Sequence, residues 1–171
     1  MKKILWATLF FCALMLPGCG DDDANSTVTV PVTSNLTIDN QPFNVTGATA
    51  NTYVLNGANE GQYNRRFFEI SKGNPPEKIY VYIDTPVNKS TIDGTYIFHI
   101  ETIFNNMFGG GTYSSDNVVY NGAGNFLHVT DKGNGVYKLE FEDLEFVKIS
   151  SPSEVKTIRG SYEGYFTLKT F

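Results

Sequence analysis

Glu140 and Glu142 stand two residues apart in a stretch of strand-like alternation. On an extended chain their carboxylates share one face, roughly 6–7 Å apart. A glycosidase carboxylate pair tolerates such a separation. Lys138 lies on the same face, however, while Tyr137, Leu139 and Phe141 occupy the other. The glutamates therefore belong to the wet side, and acid–base carboxylates need an enclosed, pKa-shifting site. His99 and His128 are the two histidines. His99 shares a face with Ile97 and Glu101, and His128 shares one with Phe126 and Thr130. A zinc or facial-triad site would need the two adjacent across strands, together with a carboxylate. Ser161 lies in Gly160-Ser161-Tyr162-Glu163-Gly164, which lacks the G-x-S-x-G spacing of a nucleophile elbow. The glycine runs at 109–111 and 122–124 have neither the Lys-Ser/Thr pair nor the helix start of a phosphate cradle. The expectation is a protein that binds and does not catalyse, with no metal and no cofactor.

Residues 104–125 read as one long irregular stretch, and loops of that length are uncommon in compact domains unless they bind something or move. Within it Phe108, Tyr113, Asp116, Asn117 and Tyr120 combine aromatic faces with hydrogen-bonding groups. These five are the candidate ligand-binding residues, with a glycan as one candidate ligand. Tyr80 and Tyr82 oppose Ile79, Val81 and Ile83 on the clearest strand. Exposed, they would form a platform for a sugar; the preferred reading buries them between two sheets.

Cys19 is the one sulfur expected to react. Lys2 and Lys3 precede the apolar run Ile4 to Leu16, which is too short for the roughly 20 residues of a membrane-spanning helix. Leu16-Pro17-Gly18-Cys19 then resembles the bacterial lipobox, in which the thiol is diacylated and the chain is cut just before it. Pro17 departs from the small residue usual there. The resemblance implies a signal peptide at 1–18, a diacylglycerol on Cys19 and attachment to a membrane. Two acyl chains hold stably where one is marginal. Asp21-Asp22-Asp23 follows directly, an acidic cluster that resembles the surface-export signal of Bacteroidota-type lipoproteins. Outer-membrane attachment, on the surface in preference to the periplasmic side, is the expected location.

Loss of Lys2 and Lys3 with residues 1–18 takes the formal charge from −5 to −7. That balance disfavours nucleic acid and anionic membrane surfaces, which call for basic patches. Cys12 and Trp6 leave with the signal, so the mature chain keeps Cys19 as its single cysteine and has no tryptophan. A disulfide, a thiolate metal site and a thiol enzyme are excluded together. Ten tyrosines, abundant phenylalanine and sixteen glycines point to β-structure joined by tight turns.

Residues 19–34 read as a lipidated flexible tether, and 35–171 as one domain of short strands. Leu36–Ile38 and Phe43–Val45 flank a hairpin turn at Asp39-Asn40-Gln41-Pro42, and Asp131 to Gly135 separates two alternating runs as a hairpin. The alternation of Tyr137, Leu139 and Phe141 slips phase before Leu144 and Phe146, which predicts a β-bulge at Glu142-Asp143. Glu154 to Lys169 closes the domain as two strands, or as one long strand bent at Gly160. No stretch has persuasive helical periodicity. The predicted fold is all-β: an antiparallel two-sheet sandwich of about 8–11 short strands, with a lipocalin-like barrel as the alternative.

Leu36 to Val45 (LTIDNQPFNV), Asp93 to Phe98 (DGTYIF) and Ile158 to Leu168 (IRGSYEGYFTL), in that order behind the lipobox, resemble small surface lipoproteins of Bacteroidota type. The resemblance implies an all-β fold in the cell envelope and carries no activity or site with it. The expected function is therefore an envelope-tethered lipoprotein that binds a ligand or a partner protein. An accessory subunit of an outer-membrane assembly is the alternative, and a glycoside hydrolase is a distant third.

Overall fold

A computed structural model describes residues 32–54, 63–98 and 108–169. The signal segment, Cys19, nearly all of the tether, the loop at 56–62 and His99 lie outside the described residues. Among those described, the chain is all-β and contains no helix. The short strands β1 (Thr33–Ser34), β2 (Thr37–Ile38) and β3 (Gln41–Pro42) come first, followed by β4 (Gly47–Val54), β5 (Tyr63–Lys72), β6 (Glu77–Pro86) and β7 (Gly94–Phe98). Then come β8 (Phe108–Ser115), β9 (Val118–Gly133), β10 (Val136–Lys148), β11 (Ser151–Tyr165) and β12 (Thr167–Leu168).

All twelve belong to one hydrogen-bonded sheet, in the order β12-β4-β5-β6-β8-β7-β9-β10-β11-β2-β3, with β1 on β11 and β8 also on β9. The sheet is mixed and curls into a half-barrel. The expected division into two antiparallel sheets is not seen: β7–β8 and β4–β12 pair in parallel, and the ladder runs unbroken from β4 to β11. Uneven strand lengths and Gly/Pro breaks suggested separate sheets. Strands of 13–16 residues instead bend within one sheet. β12 follows β11 after the single residue Phe166 and lies against β4 at the far flank, pairing Thr167 with Thr49 and Leu168 with Ala50.

Period-two alternation builds the core. Phe68 and Ile70 on β5, Ile79, Val81 and Ile83 on β6, and Leu127 and Leu139 on β9 and β10 are all fully buried on the concave face. Phe166 packs edge-on to Phe68, Tyr137 and Tyr162 at 5.2–5.6 Å, tying the seam to the core. Edge-to-face pairs of this kind each add about 0.5–1.5 kcal/mol beyond the area they bury. The predicted bulge is present: register shifts between Phe141 and Leu144 opposite β11, and Asp143 takes φ 49°.

Residues 108–125 are not a loop. They form β8, a two-residue turn and the first half of β9, with Ser115 opposite Val118. Gly109-Gly110-Gly111 sits mid-sheet because neighbouring chains come too close for side chains: a Cβ on Gly111 would strike the Tyr80 carbonyl oxygen, and one on Gly109 the Phe98 ring. Glycine that reads as a loop from composition here admits close backbone packing.

Tyr80 and Tyr82 do not lie between sheets. They stand on the convex face, half-buried, opposite the core residues of β6. Phe67 stacks on Tyr80 at 5.4 Å, and the Arg65 guanidinium covers the Tyr82 ring at 4.0 Å. Arg65 also grips the fully buried Asp84 carboxylate with two hydrogen bonds of 2.7 and 2.6 Å. Among the described residues each of these rings thus has a neighbour laid against it.

Candidate functional site

The five candidate binding residues do not converge. Tyr113 and Tyr120 point into the core end with 4% and 5% of their surface exposed. Asp116 (φ 49°) and Asn117 (φ 65°) form the tight β8–β9 turn, where both central residues need positive φ. Phe108 begins β8 at the opposite end of that strand, edge-on to Tyr63 at 5.6 Å. Aromatics and turn formers side by side in sequence read as a loop, whereas here they belong to a hairpin. The pairing of Tyr113 with Tyr120 shows them to be cross-strand neighbours.

Those two tyrosines carry a polar network at that end. Tyr113 donates to Glu77 Oε2 at 2.6 Å, and Lys72 donates to Oε1 at 2.7 Å. Tyr120 donates to Glu154 Oε1 at 2.6 Å, and Lys148 donates to Oε2 at 2.9 Å. Burial pushes Glu77 up, but the bonds from Lys72 and Tyr113 outweigh it and hold the carboxyl below the ordinary glutamate range. Burial and the Glu77 bond drive the Tyr113 phenol far above its usual value. Beside it, Lys156 donates to Asp39 at 2.8 Å, and a cavity of about 180 Å³ opens among Asp39, Lys72, Glu77, Tyr113 and Lys156. Among the described residues each of these carboxylates is paired with a lysine: Glu77 with Lys72, Glu154 with Lys148 and Asp39 with Lys156.

On the convex face the ladder brings together groups that sequence spacing kept apart. His128 on β9 sits between Thr95 on β7 and Glu142 on β10, with Nδ1 2.8 Å from Thr95 Oγ1 and Nε2 2.9 Å from Glu142 Oε2. The order hydroxyl–imidazole–carboxylate resembles a hydrolytic relay, but the Glu142 side chain is 63% exposed and the row lies open to water. Glu140 pairs with Lys138 at 2.8 Å on the same open face. Ser161 is held by Asn35 Oδ1, which accepts from both its N–H and its hydroxyl at 2.5 and 3.1 Å. No cluster of three or more metal-ligating side chains occurs among the described residues.

A cleft marks the opposite end of the curl among the described residues. It has a volume of about 550 Å³ and is lined by Thr52, Asn64, Arg66, Thr85, Lys89, Ser90, Thr91, Ile92, Asp131 and Gly133. The ends of β4, β5, β6 and β9 and the β6–β7 connection converge on it. Its volume falls within the roughly 300–1,000 Å³ usual for small-ligand sites.

Arg66 is the distinctive group. Alternation along β5 puts it on the concave face with Phe68 and Ile70, between Thr52 and Ile83 on the flanking strands. Its Nη1 donates to the Tyr137 hydroxyl, and its guanidinium lies 5.5 Å from the Tyr137 ring centre. Among the described residues no carboxylate pairs with it, and its Nε–H is buried without an acceptor. An orphan donor of this kind costs about 1–3 kcal/mol, more for a charged group. The signal was present in the sequence: the i, i+2, i+4 run of Arg66, Phe68 and Ile70 places a cation on a core face.

Comparison with known proteins finds no matching family model, no matching curated protein and no matching solved structure. The functional reading therefore stands on the geometry.

Proposed function

We propose that the chain is a lipid-anchored, non-catalytic binding protein of the cell envelope that holds a small ligand in the Arg66 cleft. On this reading Cys19 carries the diacylglycerol, residues 19–34 are the tether, and the domain sits at the outer membrane, on the cell surface. The curled sheet closes as a barrel, with β12 joining the β11 flank to β4 as the seam. One observation carries the binding function: a cation on the concave wall of a cleft, with a buried N–H that no group among the described residues accepts. Native mass spectrometry of the lipoprotein extracted from envelopes tests it. A retained small molecule, lost from an Arg66→Met variant, is expected; identical spectra from both would remove the cleft from the account. The anchor has its own test. Cys19→Ala is expected to move the protein into soluble fractions, and continued tight membrane association would overturn the lipidation.

A second reading, an accessory subunit of an outer-membrane assembly, draws on a different surface. Val119 and Val155 are 50% and 40% exposed on the convex face at the Tyr113 end, with Ile149, 75% exposed, in the adjoining β10–β11 turn. Cross-linked envelope pull-down favours this reading if one partner is recovered and Val155→Asp abolishes the recovery.

A further inference from the structure

We infer that the β9–β10 hairpin end of the domain rests on the lipid bilayer, through a rim formed by Val32, Val87, Tyr165 and Leu168. The inference builds on the lipid anchor proposed above and adds which end of the domain the anchored protein turns to the membrane.

Exposure comes first. These four side chains are 57%, 49%, 50% and 56% exposed, and apolar residues scattered singly over a surface would need no explanation. These are not scattered. Val32 packs beside Gly164, where an added Cβ would come within 3.1 Å of Val32 Cγ2, and the next residue along β11 is Tyr165. The Tyr165 ring lies against Gly135 of the hairpin, 2.9 Å from where a Cβ would stand. Val87 opens the β6–β7 connection, which lines one cleft together with Asp131 and Gly133 of the same hairpin. Leu168 pairs with Ala50, two residues before Thr52 in that cleft wall. Three stretches far apart in sequence thus bring exposed apolar groups to one end of the sheet.

Entry comes second. On the anchoring proposed above, thirteen residues, 19–31, separate Val32 from the diacylglycerol on Cys19. A short tether holds the groups at its two ends at an effective concentration of about millimolar. Even a weak contact is then populated, and this end of the sheet is the one beside the anchor. Val119, Ile149 and Val155 mark the other end, near the turn from Ser115 to Val118. They would point away from the bilayer.

Chemistry comes third. Tyrosine joins an apolar ring to a polar tip, the combination that suits the boundary between headgroups and acyl chains. In the β6–β7 connection and the hairpin, Lys89 and Lys132 stand against Asp93 and Asp131. Charge is balanced there, so the contact is apolar in origin and takes neutral lipid. Its strength follows the apolar area that the rim buries.

The mature chain has no tryptophan, so a single introduced one reports on its own surroundings. Lipoprotein carrying Tyr165→Trp or Val119→Trp is reconstituted into phosphatidylcholine vesicles with and without brominated acyl chains. The Tyr165→Trp emission is expected to shift to the blue and lose roughly half its intensity to bromine, because interfacial side chains lie about 5–10 Å into the headgroup–acyl boundary. The Val119→Trp emission is expected to stay the same. Val87→Asp, in an exposed turn, is expected to cut the Tyr165→Trp quenching at least about twofold. Added phosphatidylglycerol is expected to change nothing, and quenching that requires it would rule out an apolar contact. Equal quenching at both positions, or quenching of Val119→Trp alone, would overturn the orientation. Unquenched Tyr165→Trp in protein that carries the diacylglycerol and floats with the vesicles would overturn the docking and leave the anchor standing. Mature protein whose mass lacks the diacylglycerol would overturn the anchor, and this inference with it. Hydrogen exchange needs no variant at the rim: amides 132–135 are expected to exchange more slowly in the vesicle-bound lipoprotein than in the Cys19→Ala protein in solution. Equal rates would again remove the contact.

Discussion

The rings of Tyr113 and Tyr120 lie 5.7 Å apart across the β8–β9 hairpin, yet their hydroxyls reach opposite ways, to Glu77 and to Glu154. The two carboxylates differ in setting. The Glu77 side chain is 11% exposed and that of Glu154 is 42% exposed. A hydrogen bond to a sheltered charge is harder for water to replace.

Tyr113→Phe is accordingly expected to cost about 1.5–3 kcal/mol, the range for bonds to charged groups. Tyr120→Phe is expected to cost less than about 1 kcal/mol, because water reaches Glu154. Urea denaturation of both variants checks the order. Equal losses would mean that burial does not separate the two halves of the network.

Acid should loosen the same region. Glu77 and Asp39 both titrate below their unfolded values: burial opposes this, but bonds from Lys72 and Tyr113, and from Lys156 and the Thr157 N–H, prevail. A carboxyl depressed in the folded state contributes stability that is complete above its unfolded pKa, here 4.5 and 3.8. That contribution is lost as pH falls through the folded values. Stability should thus hold steady above about pH 5 and decline below it. Glu77→Gln should flatten the decline, and an unchanged acid limb in that variant would exclude Glu77 as its source.

The glycine run offers a paired test. A Cβ at position 111 meets the Tyr80 backbone, whereas one at position 110 meets only the Tyr82 side chain, which can swing aside. Gly111→Ala is expected to cost about 3 kcal/mol or more, and Gly110→Ala about 1 kcal/mol. Thermal melts of the two variants decide. Equal tolerance would mean that β6 and β8 do not approach so closely.

Asp116-Asn117 should behave as a turn and not as a ligand contact. Asn117→Gly is expected to be neutral, since glycine accepts φ 65° freely, while Asn117→Val should cost about 1–2 kcal/mol. Ligand retention should be the same in both variants. A loss of binding with unchanged stability would return function to the hairpin tip.

Short-range pattern carried much of the fold into view. Alternation of Ile79, Val81 and Ile83, the turn formers from Asp131 to Gly135, and the phase slip before Leu144 each act through neighbours in sequence, and each is present in the structure. Sheet number was not legible, because whether long strands split or bend depends on distant partners such as Thr167 and Thr49. Glycines 109–111 misled for the same reason: what excludes a side chain there is the Tyr80 carbonyl some thirty residues away. Arg66 was legible in principle, since its face follows from Phe68 and Ile70. What the local pattern does not carry is its surroundings, because Thr52, Ile83 and Tyr137 reach it from other strands.

The entry of the chain has one consequence more. Thr33 pairs with Glu163 on the stretch of β11 that leads to Tyr165 opposite Val136, so Val32 leaves the domain toward the β9–β10 hairpin end of the sheet. With a lipid on Cys19, the thirteen residues 19–31 form a leash of at most about 45 Å. On the anchoring proposed above, that leash would set how far the β9–β10 hairpin end could stand from the bilayer. Lengthening it would then change the domain's reach without altering a single residue of the sheet.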